Sequence, residues 1–300
     1  MVLEKSRGAG GRASTRRAED WTADLGAQFF AQSSPSWQEI LSDDREKLDT
    51  LKLDSDDLHP RFVHTEGMSK VARALMNRTN VADFVFDCRV THLSSEHGKW
   101  QIQTSKASTF DADALILTAP IAQVLELFAS SQIALSEQSH LLLSSVQYHR
   151  CLVAVLSPEN TETISKFPAI WRNPSPVVTG IYDQSRKGLK TARPVVVVHL
   201  APQLSSELWE SPAEAISDVV RQETARLTGK TWKLLHLHRW RYSQPVRNIP
   251  SPFHRCSFKS KTSLPALLIA GDTFGTSSID GALRSGEAAA QALLEALAEK

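Results

Sequence analysis

Hydrophobic and polar positions follow three rhythms along this chain, and together they predict most of its elements. A two-residue alternation runs through "DFVFDCRVTHL" and "KWQIQTS", which read as paired strands around a turn at Glu96–Gly98. The "WKLLHLHRWRY" stretch reads as a further strand, residues 2–4 as a strand stub, and Leu25–Phe30 as a short strand after a turn. Helical spacing appears in Pro35–Leu48 through Trp37, Ile40, Leu41 and Leu48, and in "TEGMSKVARALM" through Met68, Val71, Leu75 and Met76. It appears again in Ser211–Thr228, with Ser211 as N-cap and Pro212 at the first helical position. The third rhythm is a short continuous apolar run. "DADALILTAP", closed by Pro120, suits a strand buried on both faces. Leu141–Leu156 and Arg193–Ala201 are strand-like, with loop-rich sequence between them, and "LDSDDLHP" is a polar connection. Near the end, a buried strand at Ala266–Ala270 stops at Gly271–Asp272, and a long alanine-rich helix begins at about Gly281.

Composition narrows the class. The 300 residues suffice for one large domain or two ordinary ones. Lys plus Arg is 34 against 33 for Asp plus Glu, a balance that gives no reason to invoke nucleic acid. Cys88, Cys151 and Cys256 lie far apart, as expected of buried reduced thiols in a cytoplasmic protein rather than of a disulfide framework or a zinc site. No stretch approaches the ~20 apolar residues that span a bilayer. His199, His236 and His238 lack metal-ligand spacing, so no metal is expected.

The segment "GAGGRA", Gly8 to Ala13, fits the loose dinucleotide pattern G-x-G-x-x-G/A. A working phosphate loop follows a strand directly and opens an apolar helix. Here Lys5, Ser6 and Arg7 intervene, and "STRRAEDWTAD" carries no helical apolar stripe, so this is not the first phosphate loop. Glu4 is the more telling residue, because an acid at the end of the second strand of a βαβ unit hydrogen-bonds ribose hydroxyls.

"VLEKSRGAGGRAST…DLGAQFF" resembles the segment after the first βα unit of the FAD-dependent amine oxidase superfamily, nearest its renalase-like branch. "GMSKVARAL", "RVTHL", "DALILTAP", "HRWRYSQP" and "AGDTFGTSSIDGALRSGEAAA" carry the resemblance along nearly the whole chain. The family pattern opens with a strand and a G-x-G-x-x-G loop that this sequence does not contain. On that comparison about 30 residues, the scale of a βα unit, are missing before Met1. The implied fold is α/β: an N-terminally truncated FAD/NAD(P)-binding Rossmann-like domain with a mixed α+β substrate domain. The FAD-binding domain is expected from 1–30, 61–128 and 262–300, and the substrate domain from 31–60 and 129–261.

The resemblance also assigns roles. Glu4 would hold the adenosine ribose and Val90 would give adenine backbone contacts. Gly10 and Gly11 would bring backbone N–H groups to the cofactor, and Arg12 would offset phosphate charge or flank the flavin. Gly26, Ala27 and Gln28 would lie beside the flavin ring. Gly271 and Asp272 end a strand where ligands of α/β sheets gather, and the carboxylate would accept a ribityl hydroxyl. Asp280, Gly281 and Ala282 would turn the positive end of a helix toward the flavin, with Gly281 and Gly286 allowing close approach. Trp240 and Tyr242 share a strand face and could line a substrate pocket, with Arg241 holding an anionic group; Tyr148 and His149 carry the same ambiguity between pocket and core. No catalytic residue is assigned. The implied reaction is hydride transfer from a small reduced substrate, with an isomeric dihydro-NAD(P) leading, to flavin and then to O2. The rival readings are an amine oxidase of the same superfamily and a non-catalytic remnant that does not hold FAD.

Overall fold

The computed structural model describes residues 1–32, 34–51, 60–79, 83–160, 170–259 and 264–298. The chain divides into two compact units, one of Met1–Gly8, Val81–Tyr148 and Gln244–Lys300, the other of Ala9–Asn80 and His149–Ser243. Apart from Pro60, the "LDSDDLHP" connection lies outside the described residues.

In the first unit, Val2–Leu3 pairs in parallel with Phe84–Val85. Ala114–Leu117, Ala266–Ile269 and His254–Arg255 form a three-stranded sheet in that order, its first pair parallel and its second antiparallel. Val90–Glu96, Lys99–Thr104 and Thr109–Ala112 form an antiparallel meander. The turn of its first hairpin has positive φ at both His97 (52°) and Gly98 (76°), the backbone that tight hairpins prefer. Alternation along Lys99–Thr104 buries Trp100 and Ile102 in the unit's core, with Ile121, Phe128, Leu143, Leu267 and Ile269. Leu3, Leu115 and Leu117 pack against the same cluster.

The Ala114–Leu117 strand is half-buried throughout rather than covered on both faces. It lies at one edge of its sheet, with Ala266–Ile269 as its only strand partner among the described residues. The predicted strand over Leu141–Leu156 is a helix, Glu137–Ser144, capped by Ser136, followed by a strand, Tyr148–Pro158. The Ser136 hydroxyl accepting the Ser139 N–H at 3.2 Å starts that helix.

The second unit is built on a five-stranded sheet in the order Ile170–Arg172, Val178–Asp183, Val196–Leu200, Tyr148–Pro158 and Trp232–Pro245. Its central strands are apolar at consecutive positions because both faces are covered. Leu152, Ala154, Leu156, Val196 and Val198 meet Ile216 and Val220 of the Ala213–Thr228 helix. Val153, Val155 and Val197 meet Trp21, Ala23, Leu25 and Val63. Residues 9–30 and 61–80, expected with the cofactor domain, cluster here because their apolar side chains complete that second face.

Three local expectations are corrected. Leu25–Phe30 is not a strand: pairing ends at Thr22–Asp24, and Gly26 and Ala27 turn back onto Arg12. Pro35–Leu48 is a single α-turn, Ser36–Ile40, followed by a 3₁₀ segment, Ser42–Lys47, so its apolar positions cluster at Trp37, Ile40 and Leu41. Pro212, not Ser211, occupies the N-cap position of Ala213–Thr228.

Candidate functional site

Glu4 follows the Val2–Leu3 strand. Its Oε1 accepts the Ser6 N–H at 2.6 Å, and its carbonyl accepts the Cys88 N–H at 2.9 Å. That second bond draws the turn before Val90 against Glu4, so these two predicted residues come together. Lys5 Nζ donates to Gln123 Oε1 at 3.3 Å, just beyond the end of Ala114–Leu117. The Ala270 N–H donates to the Leu117 carbonyl at 3.0 Å. The carboxyl ends of Val2–Leu3, Ala114–Leu117 and Ala266–Ile269 thus lie on one side of the first unit, the side where ligands of such sheets bind.

Gly271 and Asp272 occupy that side. Gly271 has φ +140°, and a Cβ there would meet nothing closer than the Thr118 carbonyl at 3.8 Å. Its N–H donates to Ser285 Oγ at 2.9 Å, and Ser285 donates to the Pro252 carbonyl at 2.6 Å. The buried serine of "GALRSGEAA" therefore clamps the helix to the glycine turn, a role the sequence did not advertise. Asn248 Nδ2 donates to the Asp272 carbonyl at 2.7 Å, and the Asp272 carboxylate accepts from Ser277 Oγ at 3.4 Å.

The Ile279–Ala298 helix opens at Ser278, whose hydroxyl accepts the Gly281 N–H at 2.9 Å and whose carbonyl accepts the Ala282 N–H at 2.9 Å. Gly281 is required by the protein's own loop, since a Cβ there would lie 1.9 Å from the Thr276 carbonyl. Gly286 has open space around it. Asp280 is buried and pairs with Arg284 Nε at 3.2 Å. Its negative charge in the first turn suits the helix dipole. Tyr148 is also structural: its phenol oxygen accepts the Ile121 N–H at 2.9 Å, at the start of the Ile121–Ser130 helix, and lies 2.8 Å from Thr273 Oγ1.

The other predicted residues belong to the second unit. Gly10 and Gly11, at φ +130° and +50°, turn the loop into a 3₁₀ segment, Gly11–Ala13, and not into an apolar helix. The Ala27 N–H donates to the Arg12 carbonyl at 2.9 Å, and a Cβ on Gly26 would fall 1.7 Å from that oxygen. Only glycine allows this crossing. Arg12 Nη1 donates to the Ser243 carbonyl at 3.0 Å, next to half-buried Tyr242. Trp240 Nε1 donates to the Leu25 carbonyl at 3.1 Å, and the indole packs edge-on against His238 with ring centroids 4.2 Å apart. These contacts give Trp240 a packing role; Arg241 is exposed.

Gln28 leads to a buried polar cluster. Lys187 Nζ donates to Asp24 Oδ2 at 3.0 Å and to Gln28 Oε1 at 2.7 Å, with the Lys187 and Asp24 side chains both fully buried. Gln28 Nε2 donates to the Asp24 carbonyl, and Gln184 Nε2 donates to Gln28 Oε1 at 3.1 Å. Asp24 Oδ1 accepts from Thr15 Oγ1 at 2.6 Å and from the Met68 N–H at 2.8 Å, and the Ser69 N–H donates to Thr15 Oγ1 at 3.0 Å. Burial pulls the Lys187 amine below its ordinary range, against the attraction of Asp24. Burial, with the charge of Lys187, also lowers His199 to about 4. Desolvation, with His236 and Arg16, lowers His238 to about 4. These imidazoles are neutral at pH 7. Among the described residues no group of three or more His, Cys, Asp or Glu could hold a metal ion, and no helix is long and apolar enough to cross a membrane.

Residues 44–294 match the flavin containing amine oxidoreductase family, and residues 1–43 match the NAD(P)-binding Rossmann-like domain. The chain is 24% identical to a Mus musculus protein, renalase, over 305 residues, spanning 95% of this chain and 87% of that one. An engineered putrescine oxidase double mutant superposes with a TM-score of 0.68 at 13% identity, covering 98% of this chain and 93% of the other. A fatty acid isomerase from P. acnes superposes with a TM-score of 0.60 at 13% identity, covering 81% and 80%.

Proposed function

Because this chain belongs to the flavin containing amine oxidoreductase family, we propose that it binds FAD and takes a hydride from a small reduced substrate, an isomer of a dihydro-nicotinamide dinucleotide being the leading one. What supports this reading is that two carboxylates of the first unit, Glu4 and Asp272, each follow the carboxyl end of a strand, the second of them ahead of a serine-capped helix N-terminus. A hydroxyl-rich ligand with a pyrophosphate needs such a set: acids for ribose and ribityl hydroxyls, and helix N–H groups for charge.

The donor set fits the cofactor. The space beside Gly271 is open, with no neighbour closer than 3.8 Å to a Cβ placed there. Glu4 would hold the adenosine ribose, Val90 the adenine through its backbone, and Asp272 the ribityl chain. Asp280, Gly281 and Ala282 shape the helix start. Gly10, Gly11, Arg12, Gly26 and Ala27 cluster in the second unit, and a part for them in holding the cofactor rests on the family resemblance alone. The Gln28 amide is committed to Lys187 and Gln184, so its part is confined to the backbone. The chemistry supplied by the bound flavin is acceptance of a hydride and its delivery, as two electrons, to O2.

The test is titration of the purified chain with FAD, followed by quenching of flavin fluorescence. Wild type should bind, and E4A and D272A should each raise Kd about tenfold or more, the scale of a lost charge-assisted hydrogen bond. D113N, in an exposed bend between two strands, should bind as wild type. Failure of wild type to bind, or full binding by E4A and D272A, rejects the reading. Anaerobic bleaching of the flavin band at ~450 nm by isomeric dihydro-NAD(P) would support the substrate, and bleaching by amines alone would assign the amine oxidase alternative instead.

A further inference from the structure

The second unit carries a cavity of about 510 Å³ that the proposed reaction does not use. Among the described residues its lining brings together Arg17, Lys47, Lys70 and Lys190 with the acids Glu46 and Glu66. Two of these four cations, Lys47 and Lys70, are ion-paired, which leaves Arg17 and Lys190 as the cations of the lining without an ion pair among the described residues. The acids in reach are partly committed: Glu66 Oε2 accepts from Lys70 at 2.7 Å, and Asp44 lies 3.1 Å from Lys47. Arg17 Nη2 donates to the Glu66 carbonyl at 2.6 Å, which holds its guanidinium at the rim. Lys190 is exposed and makes no ion pair among the described residues.

Three of the walls adjoin the buried cluster around Asp24 and Lys187, and the fourth, at Glu46 and Lys47, is held by the Thr65 N–H donating to the Lys47 carbonyl at 2.8 Å. Arg17 lies two residues beyond Thr15, which donates to Asp24. Thr22, also in the wall, lies two residues before Asp24 itself. Lys70 follows Ser69, whose N–H donates to Thr15. The third wall, Gly188 to Lys190, follows Lys187 directly, and Gly188 sits so close to Thr65 that a Cβ would come within 2.9 Å of its methyl group. Walls held in this way are preorganised, so a ligand entering here orders little.

We propose that this cavity is a binding site for a small phosphorylated anion, held by Arg17, Lys47 and Lys190. Asp44, Glu66 and Glu46 already favour the charged form of Lys47, and a multivalent oxyanion would add several acceptors for the guanidinium of Arg17 and the ammonium groups of Lys47 and Lys190. The volume accommodates a phosphate ester of sugar or nucleotide size. The site lies within the second unit and does not depend on flavin.

Calorimetric titration of the full chain with inorganic pyrophosphate, in the absence of FAD, tests the proposal. Saturable one-site binding is expected, with K190Q and K47Q each weakening it about tenfold while the urea midpoint of the unliganded protein stays in place. E4Q and D272N should bind pyrophosphate as wild type does. Adenosine monophosphate should compete with pyrophosphate if a phosphate ester is the natural occupant, and only the inorganic ion should bind if it is not; both results support the site. No heat beyond that of matched sodium chloride would overturn it, as would wild-type affinity in both lysine variants, or loss of binding confined to E4Q and D272N. Because flavin is absent, failure here leaves the FAD reading standing, and failure of FAD binding leaves this site standing.

Discussion

Replacing Lys187 by methionine isolates the worth of the buried ion pair. The ammonium has two acceptors, Asp24 Oδ2 at 3.0 Å and Gln28 Oε1 at 2.7 Å, and no solvent. Methionine fills a similar volume but donates nothing. Asp24 would keep Thr15 and Met68 on Oδ1, yet Oδ2 would face a thioether in a dry interior. Stranding one charge of a buried pair costs about 3–5 kcal/mol. D24N strands the ammonium and should cost about as much. The D24N/K187M double variant removes both charges, and its loss should be smaller than that of either single change. The assay is urea unfolding followed by tryptophan fluorescence. With a denaturant slope of about 3 kcal/mol/M, K187M should lower the midpoint by about 1–1.7 M. A K187M loss below about 1 kcal/mol, or a double variant equal to the sum of the singles, would refute a charge-based account.

Two further predictions follow from the structure. His199 is held near pKa 4 by burial, below its unfolded value. Between pH 6.5 and 4 the unfolded chain therefore binds the extra proton, and stability falls as pH drops through that window by up to about 3 kcal/mol; H199Q should flatten this limb of a Tm-against-pH curve, and an unchanged slope would count against it. G26A should cost about 3 kcal/mol or more, because its Cβ would lie 1.7 Å from the Arg12 carbonyl, whereas G286A, with open space around it, should be neutral or slightly stabilising in thermal unfolding; similar Tm values for the two would contradict the crossing geometry.

Features built from neighbouring residues were legible in the sequence. The hairpin at Glu96–Gly98, the terminal strand–Gly271–Asp272–helix unit and the Ser69–Arg78 helix each rest on local periodicity and turn chemistry. The failures had tertiary causes. Leu25–Phe30 has strand composition, but Gly26 must cross the Arg12 carbonyl, and that contact overrides pairing. Leu141–Ser144 reads as strand by apolar content, yet a serine cap at Ser136 commits it to a helix. Ala114–Leu117 has the composition of a central strand but lies at the edge of its sheet among the described residues, and strand order has no local signature. The same holds for the candidate sites. Glu4 and Asp272 could be singled out because acids at strand ends have a recognisable context. Lys187 could not, because its partner lies 163 residues away and nothing in "DQSRKGL" announces burial.

That separation bears on how the protein is made. At about 5–20 residues per second, a ribosome delivers Lys187 roughly 10–30 s after Asp24. Throughout that interval the early hairpin carries a carboxylate destined for a dry interior, with its countercharge not yet synthesised. Trp21, Ala23 and Leu25 wait equally for the strands at Val153–Val155 and Val195–Val197 that will cover them. The nascent second unit thus cannot close until well over half the polypeptide has emerged, and chaperone capture during synthesis would act on this half-built face.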